Sequence, residues 1–202
     1  RRRPQEGGNH STDLEMKLKE LIQDIGAVEI RGAQDIDVTA ITGDSRAVTP
    51  GALFIAVRGF ASDGHKYIGQ ALEKGAVAVI CEEIPGQAGN NVTFVKVANS
   101  RHAVAMAADA FYGHPSRKLT LVGITGTNGK TTTVTLLYRL FKALGHPCGL
   151  LSTIANYVDD RRLETANTTA DPITINRLLA EMVAAGCGYC FMEVSSIGVE
   201  QE

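Results

Sequence analysis

The sequence predicts an α/β protein: a small α/β unit followed by the first part of a doubly wound parallel sheet of the phosphate-loop ATPase type. Three observations predict it. Short apolar runs alternate with amphipathic ones along nearly the whole chain, the pattern of successive strand and helix units. Several of those runs are apolar at every position, as strands buried on both faces are. Finally, Gly126-Thr127-Asn128-Gly129-Lys130-Thr131 lies between an apolar run and an amphipathic one, where a loop that cradles phosphate belongs.

Taken in order, residues 1–15 are polar and non-periodic and read as a leader or a disordered tail. A helical repeat begins at Met16, with Leu18, Leu21, Ile22 and Ile25 on one face. Ile36–Ile41 alternates as a strand does, Thr42-Gly43-Asp44-Ser45-Arg46 is a polar loop, and Pro50-Gly51 turns the chain into a strand over Leu53–Val57. A loop over Gly59–Gly64 leads to a helix over His65–Lys74 and then a buried strand over Ala76–Cys81. After the turn between Pro85 and Asn91 comes a strand over Thr93–Val97, and Asn99 caps a helix running to Tyr112. These elements make a first unit, residues 16–114.

Pro115 biases His114 away from helix, so 113–117 reads as a short linker. Leu119–Ile124 is the apolar strand that feeds the phosphate loop. The helix Thr132–Leu144 follows, with Leu136, Leu137, Leu140, Phe141 and Leu144 on its buried face, and Gly145 stops it. A strand over Cys148–Ile154, a helix over Ile173–Ala185 and a strand over Tyr189–Val194 complete the second unit, residues 115–202. Ligands of such a sheet sit at the carboxyl ends of its strands.

The 202 residues carry a formal net charge of −2, and aromatic residues make up 5%. That gives neither the basic field nor the stacking platforms that a nucleic-acid partner needs. No apolar run approaches the length of a membrane span, so the chain reads as cytosolic. Cys81, Cys148, Cys187 and Cys190 fit that compartment as free thiols. Cys187-Gly188-Tyr189-Cys190 has redox or zinc spacing, but no second pair complements it and it lies between a helix end and a strand, so packing thiols are the better reading.

The phosphate loop carries the chemistry. Gly126 and Gly129 permit positive φ and leave no Cβ in the way, so successive N–H groups can converge on phosphate oxygens. Thr127 and Asn128 lie between them, Lys130 supplies a point charge, and Thr131 supplies a hydroxyl for Mg²⁺ ahead of Thr132 in the first helical turn. Strict spacing would place a first glycine at Ile124; the glycine stands one residue earlier, at Gly123. Two more polar clusters end predicted strands or open helices: Asn167-Thr168-Thr169-Ala170-Asp171-Pro172 and Glu193-Val194-Ser195-Ser196. Glu193 reads either as a carboxylate for Mg²⁺ or as an acid at a helix start, and Asp171-Pro172 as the cap and first position of a helix.

In combination these three runs resemble the Mur ligases of peptidoglycan synthesis. Asp44-Ser45-Arg46, Pro50-Gly51-Ala52-Leu53-Phe54 and Asp63-Gly64-His65 in the first unit agree. Leu150-Leu151-Ser152-Thr153-Ile154 with Asn167-Thr168-Thr169 is most similar to the branch that adds the third peptide residue. The resemblance implies a bacterial cytoplasmic, ATP- and Mg²⁺-dependent enzyme. It would join meso-diaminopimelate or L-lysine to UDP-N-acetylmuramoyl-L-Ala-D-Glu through an acyl phosphate.

By motif matching, Gly43 and Ser45, joined by Phe60, Ala61 and Ser62, would contact the uridine diphosphate. Gly126 to Thr132 would hold ATP. Asn167, Thr168, Thr169, Ser195 and Gln201 would hold the rest of the substrate. Lys130 and Glu193 would carry the catalytic part, with Thr131 and Glu193 on the metal. Two alternatives stay open: the related branch that adds a dipeptide, and a nucleotide-sugar-binding module without catalysis. The family commonly has His where this chain has Ile197. It is also built of three domains, so this chain is expected to bind ligands without turning them over.

Overall fold

The computed structural model describes residues 14–59, 63–86, 91–163 and 171–194. The polar residues 1–13 read as a leader lie outside them.

Two five-stranded sheets, each flanked by helices, dominate the fold. In the first, β2 (Ala27–Arg31), β7 (Thr93–Val97), β6 (Ala78–Cys81), β5 (Ala52–Ile55) and β4 (Ala40–Thr42) lie side by side in that order. All neighbours are parallel except β2, which pairs antiparallel with β7. Alternation along the strands divides their side chains between two cores. Leu53, Ile55, Ala78, Ile80, Val95 and Val97 face one layer, formed with α1 (Leu18–Leu21) and α3 (Ser100–Phe111). Ala52, Phe54, Val79, Cys81 and Phe94 face the other, with α2 (Ile68–Glu73). Every residue of β5 and β6 is buried, which is why those runs show no polar alternation.

The second sheet has the order β11 (Arg161–Leu163), β10 (Asn156–Val158), β9 (Cys148–Leu151), β12 (Tyr189–Glu193), β8 (Thr120–Ile124). β9, β12 and β8 are parallel, while β10 and β11 form an antiparallel hairpin. α4 (Lys130–Ala143) covers one face over Cys148, Leu150 and Phe191. α5 (Pro172–Ala184) covers the other over Leu151 and Cys190, and it also packs against α3 of the first layer system. Helices on both faces of the parallel strands make this the doubly wound arrangement that the sequence predicts.

Several expectations need correction. The helical repeat from Met16 keeps its buried face, but only Leu18–Leu21 is helical; Met16–Lys17 forms β1, paired with β3 (Asp37–Val38). The strand expected over Ile36–Ile41 is interrupted at Thr39, giving β3 and β4. The helix expected over His65–Lys74 starts as a 3₁₀ turn, Gly64–Tyr67, and the linker 113–117 contains another, Pro115–Lys118, entered through His114 at φ 54°. β9 stops at Leu151, three residues short of expectation.

The largest departure concerns α4. It begins at Lys130, and its inward stripe is the buried Val134 with the partly buried Leu137, Tyr138 and Phe141. Leu136, Leu140 and Leu144 are instead 60%, 52% and 63% exposed. These three follow i, i+4, i+8 and make a second apolar stripe on the solvent side. All four cysteines are free and buried, Cys187 and Cys190 beneath α5, so their spacing serves packing.

Candidate functional site

The phosphate loop connects β8 to α4 and owes its shape to its glycines. Gly126 has φ 145° and Gly129 φ 82°, both in the region that favours glycine. Gly123 serves packing instead: a Cβ there would lie 2.9 Å from Val194 Cγ2, so this residue makes room between β8 and the chain leaving β12. The displaced first glycine is therefore a strand residue.

Gly129 is the N-cap of α4 and provides no side-chain cap, whereas Asn99 caps α3 and Asp171 caps α5. The first helical bond runs from Thr133 N to Gly129 O, so the N–H groups of Lys130, Thr131 and Thr132 have no acceptor within the helix. They open toward an exposed loop, 125–129, at the positive end of a 14-residue helix. The Lys130 ammonium folds back over the loop and donates to Gly126 O at 2.6 Å.

Glu193 ends β12 in register with Ile124, and Val194 N donates to Ile124 O at 2.9 Å. This puts its carboxylate at the same strand edge as the loop, as expected from the carboxyl-end rule. Thr153, just past β9, donates its N–H to Glu193 Oε1 at 3.2 Å and places its hydroxyl 3.4 and 3.3 Å from the two carboxylate oxygens. The turn presenting Thr153 is locked from inside. Asn156 Oδ1 accepts from Ser152 N at 2.9 Å, and Ser152 Oγ donates to Ala155 O at 2.7 Å, both side chains being buried. The sequence assigns Thr153 no role of its own; its place after an apolar strand was the available signal, and its approach to Glu193 follows only from the pairing of β9 with β12.

Among the described residues no group of three or more His, Cys, Asp or Glu side chains could hold a metal ion. A single carboxylate and a threonine hydroxyl beside a phosphate loop nevertheless fit Mg²⁺, which takes oxygen donors and shares them with phosphates and water.

The first sheet has its own polar edge, at the carboxyl ends of β4, β5 and β6. Gly43 and Ser45 lie in the loop after β4, where Ser45 is buried and its hydroxyl donates to Gln70 Oε1 at 2.6 Å. Beside it, the Arg46 guanidinium bonds both oxygens of Asp44 and holds that carboxyl below its ordinary range.

A denser network follows β5. Arg58 sits among Asp63, Glu82 and Glu83 at 3.8, 3.3 and 3.1 Å. Ser100 donates to Glu82 through both N–H and hydroxyl, at 3.0 and 2.7 Å, and its oxygen accepts from Arg58 N. The backbone N–H of Glu82 donates to His65 Nε2 at 2.8 Å, so the ring proton is on Nδ1 and points to Asp63 Oδ1, 2.6 Å away. The Asp63-Gly64-His65 run thus ties the loop after β5 to the end of β6. Donation from the His65 backbone, then from its ring, lowers the Asp63 carboxyl. Burial acts to raise Glu82, but donation from Ser100 and the charge of Arg58 outweigh it and leave that carboxyl low too.

Eight of the residues matched to the substrate or its neighbourhood, Phe60, Ala61, Ser62, Asn167, Thr168, Thr169, Ser195 and Gln201, lie outside the described residues. Asp171, next to that second cluster, caps α5 by accepting from Thr174 N at 3.0 Å. No helix among the described residues is long and apolar enough to cross a membrane.

Comparison with known proteins gives a consistent picture. Residues 37–112 match the family described as "Mur ligase family, catalytic domain", and residues 124–202 match "Mur ligase middle domain". The UDP-N-acetylmuramoyl-L-alanyl-D-glutamate–2,6-diaminopimelate ligase of Bacteroides fragilis is 54% identical over 187 residues, 93% of this chain and 39% of that protein. The ligase of the same name from Cytophaga hutchinsonii is 53% identical over 182 residues, 90% of this chain and 37% of that one. The chain therefore spans about two fifths of the length of the curated relatives it matches. A solved structure of a ligase of that name superposes with a TM-score of 0.72 at 25% identity, over 92% of this chain and 37% of that one. MurF ligase from Thermotoga maritima, solved in complex with ADP, gives 0.52 at 25% identity, over 78% and 32%.

Proposed function

Because the chain belongs to the Mur ligase family, we propose that it is the substrate- and ATP-binding part of a ligase that adds 2,6-diaminopimelate to UDP-N-acetylmuramoyl-L-Ala-D-Glu through an acyl phosphate. The single observation that carries the nucleotide half is the uncapped start of α4 behind the Gly126–Gly129 loop, with Glu193 on the adjoining strand. The names and identities of the relatives support the substrate and the added residue. In this reading residues 16–114 form the substrate unit and 115–202 the nucleotide unit.

The N–H groups of Lys130, Thr131 and Thr132 receive phosphate oxygens, and Lys130 exchanges Gly126 O for the β- and γ-phosphates. Thr131 and Glu193 would hold Mg²⁺. Bound there, the ion would supply charge neutralisation while the substrate carboxylate displaces ADP from the γ-phosphate to give the acyl phosphate. On the first sheet, Gly43 and Ser45 with Phe60, Ala61 and Ser62 take the uridine diphosphate. Ser45, having donated its proton to Gln70, acts there as an acceptor. Asn167, Thr168, Thr169, Ser195 and Gln201 take the muramoyl-peptide end.

Calorimetric titration of the 202-residue chain tests both halves. Mg-ATP and UDP-N-acetylmuramoyl-dipeptide are expected to bind independently, and Lys130→Ala to weaken the nucleotide about tenfold or more through loss of its charge-assisted contacts, without touching the uridine ligand. A wild-type chain that binds neither would overturn the proposal, and binding of one alone would overturn the other half.

A further inference from the structure

The motifs that implied a ligand give Thr153 no part in holding one, yet the fold places it where it can act on the site. Its N–H and its hydroxyl both face the carboxylate of Glu193, and no other side chain lies within hydrogen-bond reach of that carboxylate among the described residues. The donors come from a turn that is fixed from below by two buried polar side chains, Ser152 and Asn156, one bonding the backbone ahead of it and one behind. Thr153 lies two residues past the end of β9 and Glu193 ends β12, the parallel neighbour of β9, while Ile124, the last strand residue before the phosphate loop, stands beside Glu193 on β8.

A carboxylate at a strand end is otherwise a flexible group with three torsions. The contacts from Thr153, at 3.2–3.4 Å, favour the rotamer that turns it toward the edge that carries the loop.

We infer that Thr153 is a positioning residue for the cation of the nucleotide site: it orients Glu193 so that the carboxylate meets a divalent ion shared with the phosphates. The inference rests on the reading of this edge as a Mg-nucleotide site. The hydroxyl can give its proton to only one carboxylate oxygen at a time, and the N–H engages Oε1, so Oε2 retains lone pairs for the ion. Ion binding then requires no rearrangement of the acid.

The test is the ratio of ATP affinities measured by calorimetry with Mg²⁺ and with EDTA, on the full 202-residue chain. Glu193→Gln is expected to abolish the Mg²⁺-dependent gain. Thr153→Val, which keeps the shape and removes the hydroxyl, is expected to reduce that gain roughly fivefold, the size of one lost hydrogen bond to a charged group that is partly exposed. Thr153→Ser is expected to restore it. A purely structural role would lower both affinities together and leave their ratio, and with it the inference would fall. It would also fall if Thr153→Val kept the wild-type ratio while Glu193→Gln lost it. If the wild-type ratio is unity, or Glu193→Gln keeps it, the assignment of the cation site itself is wrong and the role of Thr153 goes with it.

Discussion

Alanine in place of glycine should have opposite effects at two positions five residues apart. At Gly64 a Cβ would stand 2.8 Å from Val57 N, 3.0 Å from Val57 O and 3.1 Å from Ala56 C. These are backbone atoms, and Gly64 N itself donates to Val57 O at 2.9 Å, so the segment cannot turn away without losing that bond. Relief needs a shift of about half an ångström in a close-packed region, which costs roughly 1–3 kcal/mol.

At Gly69, exposed in α2, an added Cβ meets nothing within 4 Å. There the smaller backbone entropy of alanine in the unfolded chain should stabilise by about 0.5 kcal/mol. For a unit of about 100 residues each kcal/mol moves the melting midpoint about 4–8 °C. Gly64→Ala is therefore expected to lower the midpoint of the first sheet by roughly 5–15 °C and Gly69→Ala to raise it by a few degrees.

Thermal unfolding followed by circular dichroism checks both signs. Gly64 closely follows residues 60–62, proposed above to take the uridine diphosphate, so on that proposal its variant should also weaken that ligand while leaving the proposed ATP site alone. A Gly64→Ala midpoint within about 1 °C of the parent would refute the steric argument.

Three more outcomes follow from packing and charge. On α4, Leu140→Lys should change stability by no more than about 0.5 kcal/mol, whereas Val134→Ala, on the buried stripe, should cost about 1–3 kcal/mol; urea midpoints compare them. Burial raises Cys81 and Cys148 to about 11 and Cys190 to about 12, and pushes Cys187 up as well. A chromogenic disulfide reagent at pH 8 should accordingly be consumed slowly by the folded chain and by all four thiols once urea unfolds it.

Asp63 and Glu82 are held below their ordinary range in the folded state, so the unfolded chain binds protons first as pH falls. The stability they contribute is complete above the unfolded carboxylate values, about pH 4, and is lost as pH drops through the lowered folded values. Asp63→Asn should therefore make the fall in stability on acidification shallower, and an equally steep fall in urea midpoint between about pH 5 and 2 would exclude it.

What the sequence disclosed depended on whether a residue's neighbours along the chain decide its conformation. The phosphate loop was legible because Gly126 and Gly129 demand a backbone that few other residues allow. Asn99 and Asp171 were legible because capping is satisfied within three residues. The orientation of α4 was not. Val134, Leu137, Tyr138 and Phe141 form one apolar stripe and Leu136, Leu140 and Leu144 another, and periodicity alone ranks them nearly equally. The choice belongs to the sheet: Phe141 meets Tyr189 and Phe191 edge-on at 4.8 and 4.9 Å, an aromatic contact that fixes which stripe turns inward. The hairpin β10–β11 was missed for a related reason, since its turn depends on Asp159 at φ 50° and on Lys142 of α4, which pairs with both Asp159 and Asp160. The same distinction separates Glu193 from Thr153. An acid ending an apolar strand stands out as a candidate from the sequence alone, but Thr153, inferred above to aim it, lies 40 positions away and becomes visible only when the parallel pairing of β9 with β12 brings the two strand ends together.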